Sequence, residues 1–394
     1  MTDAAVETDW RQRHAHDLMA SYAPPLRLLV RGEGCWVWDD EGTRYLDFLG
    51  GIAVNSLGHA HPVVVAAVED QVRRLVHISN YFASPSQLEL AERLKRITGA
   101  GDAGRVYFGN SGAEANEAAF KLARRTGRPR ILALKNAFHG RTMGALALTG
   151  KPALQGPFEP LPAGVEHIDS TVEALEQAIR DDVAMLIVEP IKGETGVVPL
   201  PAGYLRAARE LTERSGALLV IDEIQTGLGR TGAWFDFQHE GVVPDAVTMA
   251  KGIAGGVPLG AMVTFGAASG LLQRGDHGST FGGNPLATAA ANAVLGEIER
   301  ADLVGNAARR GEQIRAAVEA MGSPLVTEVR GRGLLIGVGT TDGAAPAIGA
   351  AALEAGLIVN PINPTSIRIA PPLIVGDEEV EAFTERFAAA LAAS

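Results

Sequence analysis

Cysteine is almost missing from this chain of 394 residues, where Cys35 stands alone. A single thiol excludes a disulfide framework or a cysteine-based zinc site within one chain, and it suits a reducing, cytoplasmic compartment. Positive charge is also short. A formal charge of -11 and a pI near 5.4 argue against a nucleic-acid or anionic-membrane partner, so an anionic substrate needs local arginines. Met1 to Ala23 has no apolar block and reads as neither a secretory signal nor a membrane anchor. The longest uncharged stretch, Gly252 to Leu272, has the length of a membrane span, but its six glycines and Pro258 fit buried α/β interior better. Repeats, low-complexity linkers, a P-loop and a His-Glu-x-x-His zinc motif are all missing, and no metal site is expected.

What is present is a large apolar fraction, 46% against 21% charged residues, enough for a full core. The length exceeds what one core usually organises, which predicts a large domain with a smaller lobe. Through the middle of the chain a short apolar run, a turn and a helical stretch recur, the pattern of parallel strands with crossover helices. Val106 to Phe108 precedes a helix over 113–125; Arg130 to Leu134 precedes the Phe138-His139-Gly140 turn; a helix over 172–180 leads into Ala184 to Val188. Met185 to Val188 and Leu218 to Ile221 are apolar without alternation, as strands covered on both faces are. After Pro285 an alanine-rich helical region leads to strands over 326–338 and 357–369 of an α+β lobe. The expected division is an N-terminal segment over 1–47 packing with the small domain, a large domain over 48–285 and a small domain over 286–394.

Two charged residues stand where apolar strands end: Asp222 after Leu218 to Ile221, and Lys251 after Val247 to Ala250. Strand carboxyl ends in a parallel sheet open into the ligand crevice. A lysine there is desolvated, which disfavours its cation and leaves an amine able to form an imine. A solvated surface lysine is the competing reading, but the chain has only six lysines, and Gly252, Gly255 and Gly256 beside this one let a bulky ligand approach. Asp222 reads either as a turn or cap residue or as the carboxylate that keeps a pyridine ring protonated. Asn110-Ser111-Gly112-Ala113-Glu114 joins a strand to a helix, where amides and a hydroxyl suit a phosphate. Ser111 is open to two other readings, a simple N-cap or the nucleophile of a hydrolase elbow, although Ala113 replaces that motif's last glycine. Gly227-Leu228-Gly229-Arg230-Thr231-Gly232 matches the dinucleotide fingerprint, but it does not come straight off a strand and opens no clear helix. His59, His61 and His139 have spacings that assign no role.

Taken together, Asn110 to Glu117, Phe138 to Thr142, Glu189-Pro190-Ile191, Asp222 to Gly227, Ala250-Lys251-Gly252 and Ser279 to Pro285 resemble the class III, fold-type I aminotransferases, in family order. The resemblance implies an α/β fold with a mostly parallel central sheet, and pyridoxal 5'-phosphate as cofactor. It implies that Lys251 carries the cofactor and moves the proton, that Asp222 pairs with the pyridinium nitrogen and that Gln225 bonds the ring hydroxyl. Phe138 and Ile224 are expected to sandwich the ring. Ser111, Gly112 and Ala113 are expected to hold the phosphate, with Thr280 reaching the phosphate of a neighbouring subunit in a homodimer.

Within the family, Gly50 to Pro62 and Ala137 to Pro152 are most similar to the branch whose amine donor is N-acetylornithine and whose acceptor is 2-oxoglutarate, a step of arginine biosynthesis. Arg141 is then expected to hold the carboxylate distant from the reacting carbon, Arg368 the second carboxylate of glutamate, and Ser279 a further substrate contact. By itself, Arg368 in Ser366-Ile367-Arg368-Ile369 reads equally as a solvated strand arginine. An unpaired buried charge costs on the order of 3–5 kcal/mol, so Glu194 is expected to pair with Arg368 when the donor is bound and to swing aside for glutamate. Ile52, apolar where ornithine-using relatives tend to place an aromatic hydroxyl, suits an acylated donor. Ornithine, N-succinylornithine and 4-aminobutyrate stay open as donors, as do a Ser111 hydrolase and a catalytically dead protein on the same fold.

Overall fold

A computed structural model describes residues 9–394; the first eight residues of the N-terminal stretch lie outside the described residues. After a short helix, Trp10–Asp17, the chain makes an antiparallel meander of β1 (Leu29–Glu33), β2 (Trp36–Asp39) and β3 (Arg44–Asp47). The central sheet follows: β4 (Arg105–Gly109), β5 (Arg130–Leu134), β6 (Val165–Ile168), β7 (Val183–Val188), β10 (Leu218–Asp222), β11 (Ala246–Met249) and β12 (Gly260–Thr264). Between β7 and β10 lies a small ribbon of β8 (Ile191–Lys192) and β9 (Val198–Pro199).

The sheet order is β4-β12-β11-β10-β7-β5-β6, parallel except at β12, which runs antiparallel to both its neighbours. Side chains alternate along each strand, and here both faces are apolar. Ile131, Ala133, Met185 and Ile187 join a core with Ala118, Ala119 and Leu122 of the helix Gly112–Arg124. Leu132, Leu134, Leu186 and Val188 join the other core, with Leu205 and Ala208 of the helix Tyr204–Ser215. Burial on both sides is why these strands show no polar alternation. The uncharged stretch from Gly252 belongs to this interior, with all of β12 buried. Among the described residues no helix is long and apolar enough to cross a membrane.

Asn284 caps the helix Pro285–Arg300 by accepting from the Ala287 amide at 2.9 Å, with Pro285 in the first turn. The helix Leu303–Ala320 leads to β13 (Val326–Arg332), β14 (Leu335–Thr340), β15 (Leu357–Ile358), β16 (Asn360–Asn363) and β17 (Ser366–Ile369), and the helix Asp377–Ala392 follows. The expected strand over 326–338 is a hairpin, turned at Gly333 with φ 52°. The stretch over 357–369 is three strands, and its first pairs elsewhere, β15 running parallel to β3. The helix expected over 172–180 is Val172–Ala178. We propose to keep the division at 47 and 285, with the N-terminal meander joined to the C-terminal part through the β3–β15 pair.

Candidate active site

Three strands of the central sheet end at one place. β4 delivers Asn110 and Ser111, β10 delivers Asp222, and Lys251 follows two residues after β11. Their ends open into a cavity of about 470 Å³ lined by Ser111, Asp222 and Lys251 together with Phe138, Ile224 and Gln225. That volume suits a small cofactor with its substrate.

Lys251 has a left-handed backbone, φ 40°, a conformation that costs free energy and gathers at functional sites. Burial lowers its pKa, the Arg368 charge lowers it further, and Glu194, Asp222 and Glu189 oppose them. The result is an amine that gives up its proton more readily than a surface lysine.

Asp222 is buried and accepts from three donors: the Ile224 amide at 3.0 Å to Oδ1, and Asn116 Nδ2 at 2.8 Å and His139 Nδ1 at 2.7 Å to Oδ2. Burial works against the His139 cation, but the Asp222 hydrogen bond and charge outweigh it and raise the imidazole pKa. The other nitrogen, Nε2, is buried with no partner among the described residues. Glu189 accepts from the Phe138 amide at 2.8 Å, and burial pushes its pKa up to about 7 against the pull of His139. None of Asn116, His139 and Glu189 had a role assigned from sequence. Their partners stand far away along the chain, so spacing carried no signal.

At the head of the helix Gly112–Arg124, Ser111 Oγ accepts from the Glu114 amide at 3.1 Å. Helix geometry leaves the amides of Gly112 and Ala113 without an intrahelical acceptor, an anion seat at the positive end of the dipole. Among the described residues no histidine or carboxylate hydrogen-bonds Ser111 Oγ, so the hydrolase elbow lacks its base. Phe138 and Ile224 both line the cavity, and a Cβ on Gly112 would stand 2.7 Å from Ile224 Cδ1. Gln225 Nε2 is buried without a partner, a donor placed for an oxygen the protein does not supply. These features fit pyridoxal phosphate: an amine of lowered pKa, a carboxylate for a ring nitrogen, two flanking side chains, an anion seat and a spare donor.

Arg368 projects from the middle of the C-terminal sheet and is 1% exposed, which removes the solvated-arginine reading. Its Nη1 donates to Glu194 Oε1 at 2.5 Å and Gln225 Oε1 at 3.2 Å, and its Nη2 to Asn360 Oδ1 at 2.8 Å. Burial disfavours the Glu194 anion, but the Arg368 charge and hydrogen bond overcome that and lower its pKa. Arg141, exposed, lines the same cavity, with its guanidinium 5.8 Å from the centre of the Phe138 ring. Ser279 and Thr280 are not brought there. Ser279 Oγ accepts from Asn110 Nδ2 and the Gly282 amide, each at 3.0 Å, and Thr280 is exposed on the loop beyond. The Gly227 to Gly232 fingerprint is a run of turns whose Arg230 is buried against the Leu334 and Pro371 carbonyls, so it ties the two parts of the chain together.

The aminotransferase class-III family profile matches residues 18–391. Acetylornithine aminotransferase of Streptomyces coelicolor is 54% identical over 374 residues, covering 94% of this chain and 92% of that protein. Among solved structures, ornithine aminotransferase of Toxoplasma gondii superposes with a TM-score of 0.93 at 34% identity, over 98% of this chain and 94% of that one. N-acetylornithine aminotransferase of Stenotrophomonas maltophilia does so with a TM-score of 0.83 at 37% identity, over 94% and 97%. The backbone alone does not separate the two donors.

Proposed function

The chain belongs to the class-III aminotransferases, and from that premise we propose that it transfers the terminal amino group of N2-acetyl-L-ornithine to 2-oxoglutarate, giving N-acetyl-L-glutamate 5-semialdehyde and L-glutamate. It is a pyridoxal-phosphate-dependent enzyme. The observation that carries the reading is the one cavity lined by Lys251, Asp222 and Glu194, with Arg368 buried behind it and paired to Glu194. When bound, pyridoxal phosphate supplies an aldehyde for amines and a cationic ring that takes up the electrons left at a deprotonated carbon.

Lys251, its cation disfavoured by burial, is the base that takes the proton from the donor carbon and returns it on the other side of the transfer. Asp222 would pair with the ring nitrogen and keep it protonated, while Asn116 and His139 hold its Oδ2 and the Ile224 amide its Oδ1. Gln225 would donate to the ring hydroxyl through its unpartnered Nε2, and Phe138 and Ile224 would flank the ring. Gly112, Ala113 and Ser111 would hold the phosphate, with Thr280 of a second copy completing the seat. Phe281 on that loop, and Tyr81 and Phe82 next to the Asn80 that bonds the loop's carbonyls, are 61%, 92% and 69% exposed and supply the apolar patch a homodimer would cover.

Two substrates with different anions must use one site. Arg141 binds the distant carboxylate of both, for which a planar guanidinium is suited. Glutamate puts its second carboxylate on Arg368; N-acetylornithine has none, and Glu194 neutralises Arg368 in its place. Ser279 supports this pocket through Asn110. The setting is cytoplasmic arginine biosynthesis.

A panel of amines, each scored by loss of the bound cofactor's absorbance, tests the proposal. N-acetylornithine should react fastest; faster loss with 4-aminobutyrate or ornithine would overturn the donor assignment. Lys251→Ala should lower turnover by at least about 10³-fold, the scale of a removed acid–base group.

A further inference from the structure

Glu194 sits in a turn whose main chain is tied down on every side. The carbonyls of Glu194, Thr195 and Gly196 accept in succession from Lys151 Nζ at 2.6 Å, Asn363 Nδ2 at 3.3 Å and Arg330 Nε at 2.9 Å. Thr195 Oγ1 donates to the Asn136 carbonyl at 2.5 Å, and the Gly193 amide donates to Glu189 Oε2 at 3.4 Å. Shifting this turn would break several of these bonds at once. The movable part is the Glu194 side chain, 30% exposed, turning about its own bonds.

A carboxylate that leaves Arg368 needs another cation, because releasing it unpaired inside the site costs free energy. Arg141 and Arg368 are then both occupied by the carboxylates of the incoming substrate. Lys151 remains. Its ammonium already holds the main chain of the residue that must move, and it carries three donors of which one is used among the described residues. Its electrostatic neighbours are Glu194 and Glu189 on one side of the balance and Arg141 and Arg368 on the other.

We infer that Lys151 is the second seat of the Glu194 carboxylate: when a dicarboxylate substrate takes Arg368, Glu194 turns onto the Lys151 ammonium. Lys151 is thus a positioning residue that acts through Glu194 and does not touch the reacting atoms. This inference rests on the proposed exchange of Glu194 for a substrate carboxylate on Arg368.

The test is the binding of glutarate, a dicarboxylate with no amine, to cofactor-loaded enzyme, measured by titration calorimetry in a double-mutant cycle. Lys151→Met should weaken glutarate about tenfold in the native background and less than about twofold beside Glu194→Ala, and Lys151→Arg should restore binding. Equal weakening in both backgrounds, or none in the native one, overturns the role of Lys151 alone. Glu194→Ala should itself tighten glutarate by removing its competitor; no tightening would overturn the exchange and the inference resting on it. Melting temperatures of the four proteins identify a variant that has not folded, and Lys151→Gln then replaces Lys151→Met in the cycle.

Discussion

Glu194 meets Arg368 at 2.5 Å where the arginine is 1% exposed, so the carboxylate is the counter-charge of a guanidinium that water barely reaches. Asn360 and Gln225 add neutral acceptors but no charge. Glu194→Ala therefore leaves a buried cation whenever the bound substrate brings no second carboxylate. The N-acetylornithine half-reaction should fall about 30-fold, roughly 2 kcal/mol of transition-state stabilisation, with the glutamate half-reaction reduced far less. Single-turnover rates of the two halves check this, and equal losses would show that Glu194 does not serve as the stand-in anion.

Gln225 is held against Gly193 so closely that a Cβ on the glycine would stand 1.9 Å from Gln225 Oε1. Gly193→Ala must displace that side chain, and with it one acceptor of Arg368 and the buried Nε2 donor. Cofactor affinity should weaken about tenfold, read from titration of the cofactor-free protein. Unchanged affinity would mean that Gln225 Nε2 does not reach the cofactor.

Lys251 and Asp222 are legible in the sequence because each interrupts or follows an apolar parallel strand, where a charge is too costly to stand without a purpose. The Ser111 loop is legible because a strand, a small-residue turn and a helix follow without a gap. His139 and Asn116 are different. Both hydrogen-bond Asp222 from other strand–helix units, and neither local pattern hints at the partner. β15 was hidden for a related reason, since nothing in Leu357-Ile358 says that its partner lies over three hundred residues earlier. Ser279 reaches the cavity only through Asn110, while Thr280 is exposed outside it, as the proposed contact with a second copy requires.

Glu223, next to Asp222, is fully buried, and its Oε1 accepts from the Phe237 amide at 2.9 Å. Burial and the neighbouring Asp236 charge push its pKa from an ordinary 4.5 up to about 8. Between these values the unfolded chain has lost a proton that the folded chain keeps, so stability contributed by this group is full below about 4.5 and is lost as pH rises to about 8. Glu223→Gln mimics the protonated acid and removes the titration. Urea midpoints from pH 5 to 8 should fall more steeply for the native protein than for the variant; parallel curves would show that Glu223 is ionised throughout.

Ile52 stands in a turn where four successive residues, Gly50 to Ala53, have positive φ, between 58° and 67°. A β-branched residue is costly there, and the turn is pinned by Asp47 Oδ1, which accepts from the amides of Leu49 and Gly50 at 3.1 and 2.9 Å, while Asp47 Oδ2 pairs with His59 Nε2 at 2.8 Å. An apolar side chain on so constrained a support offers nothing to a charged α-amine and tolerates an acylated one. Ile52→Tyr adds a hydroxyl that can accept from a free ammonium and at the same time removes the branched Cβ from a left-handed position. The ratio of kcat/KM for ornithine over N-acetylornithine should rise by about tenfold, the value of one good hydrogen bond to a charged group. Ile52 is 42% exposed and is not among the residues lining the cavity, so a ratio that stays fixed would place donor selection with the lining side chains, Arg141 first.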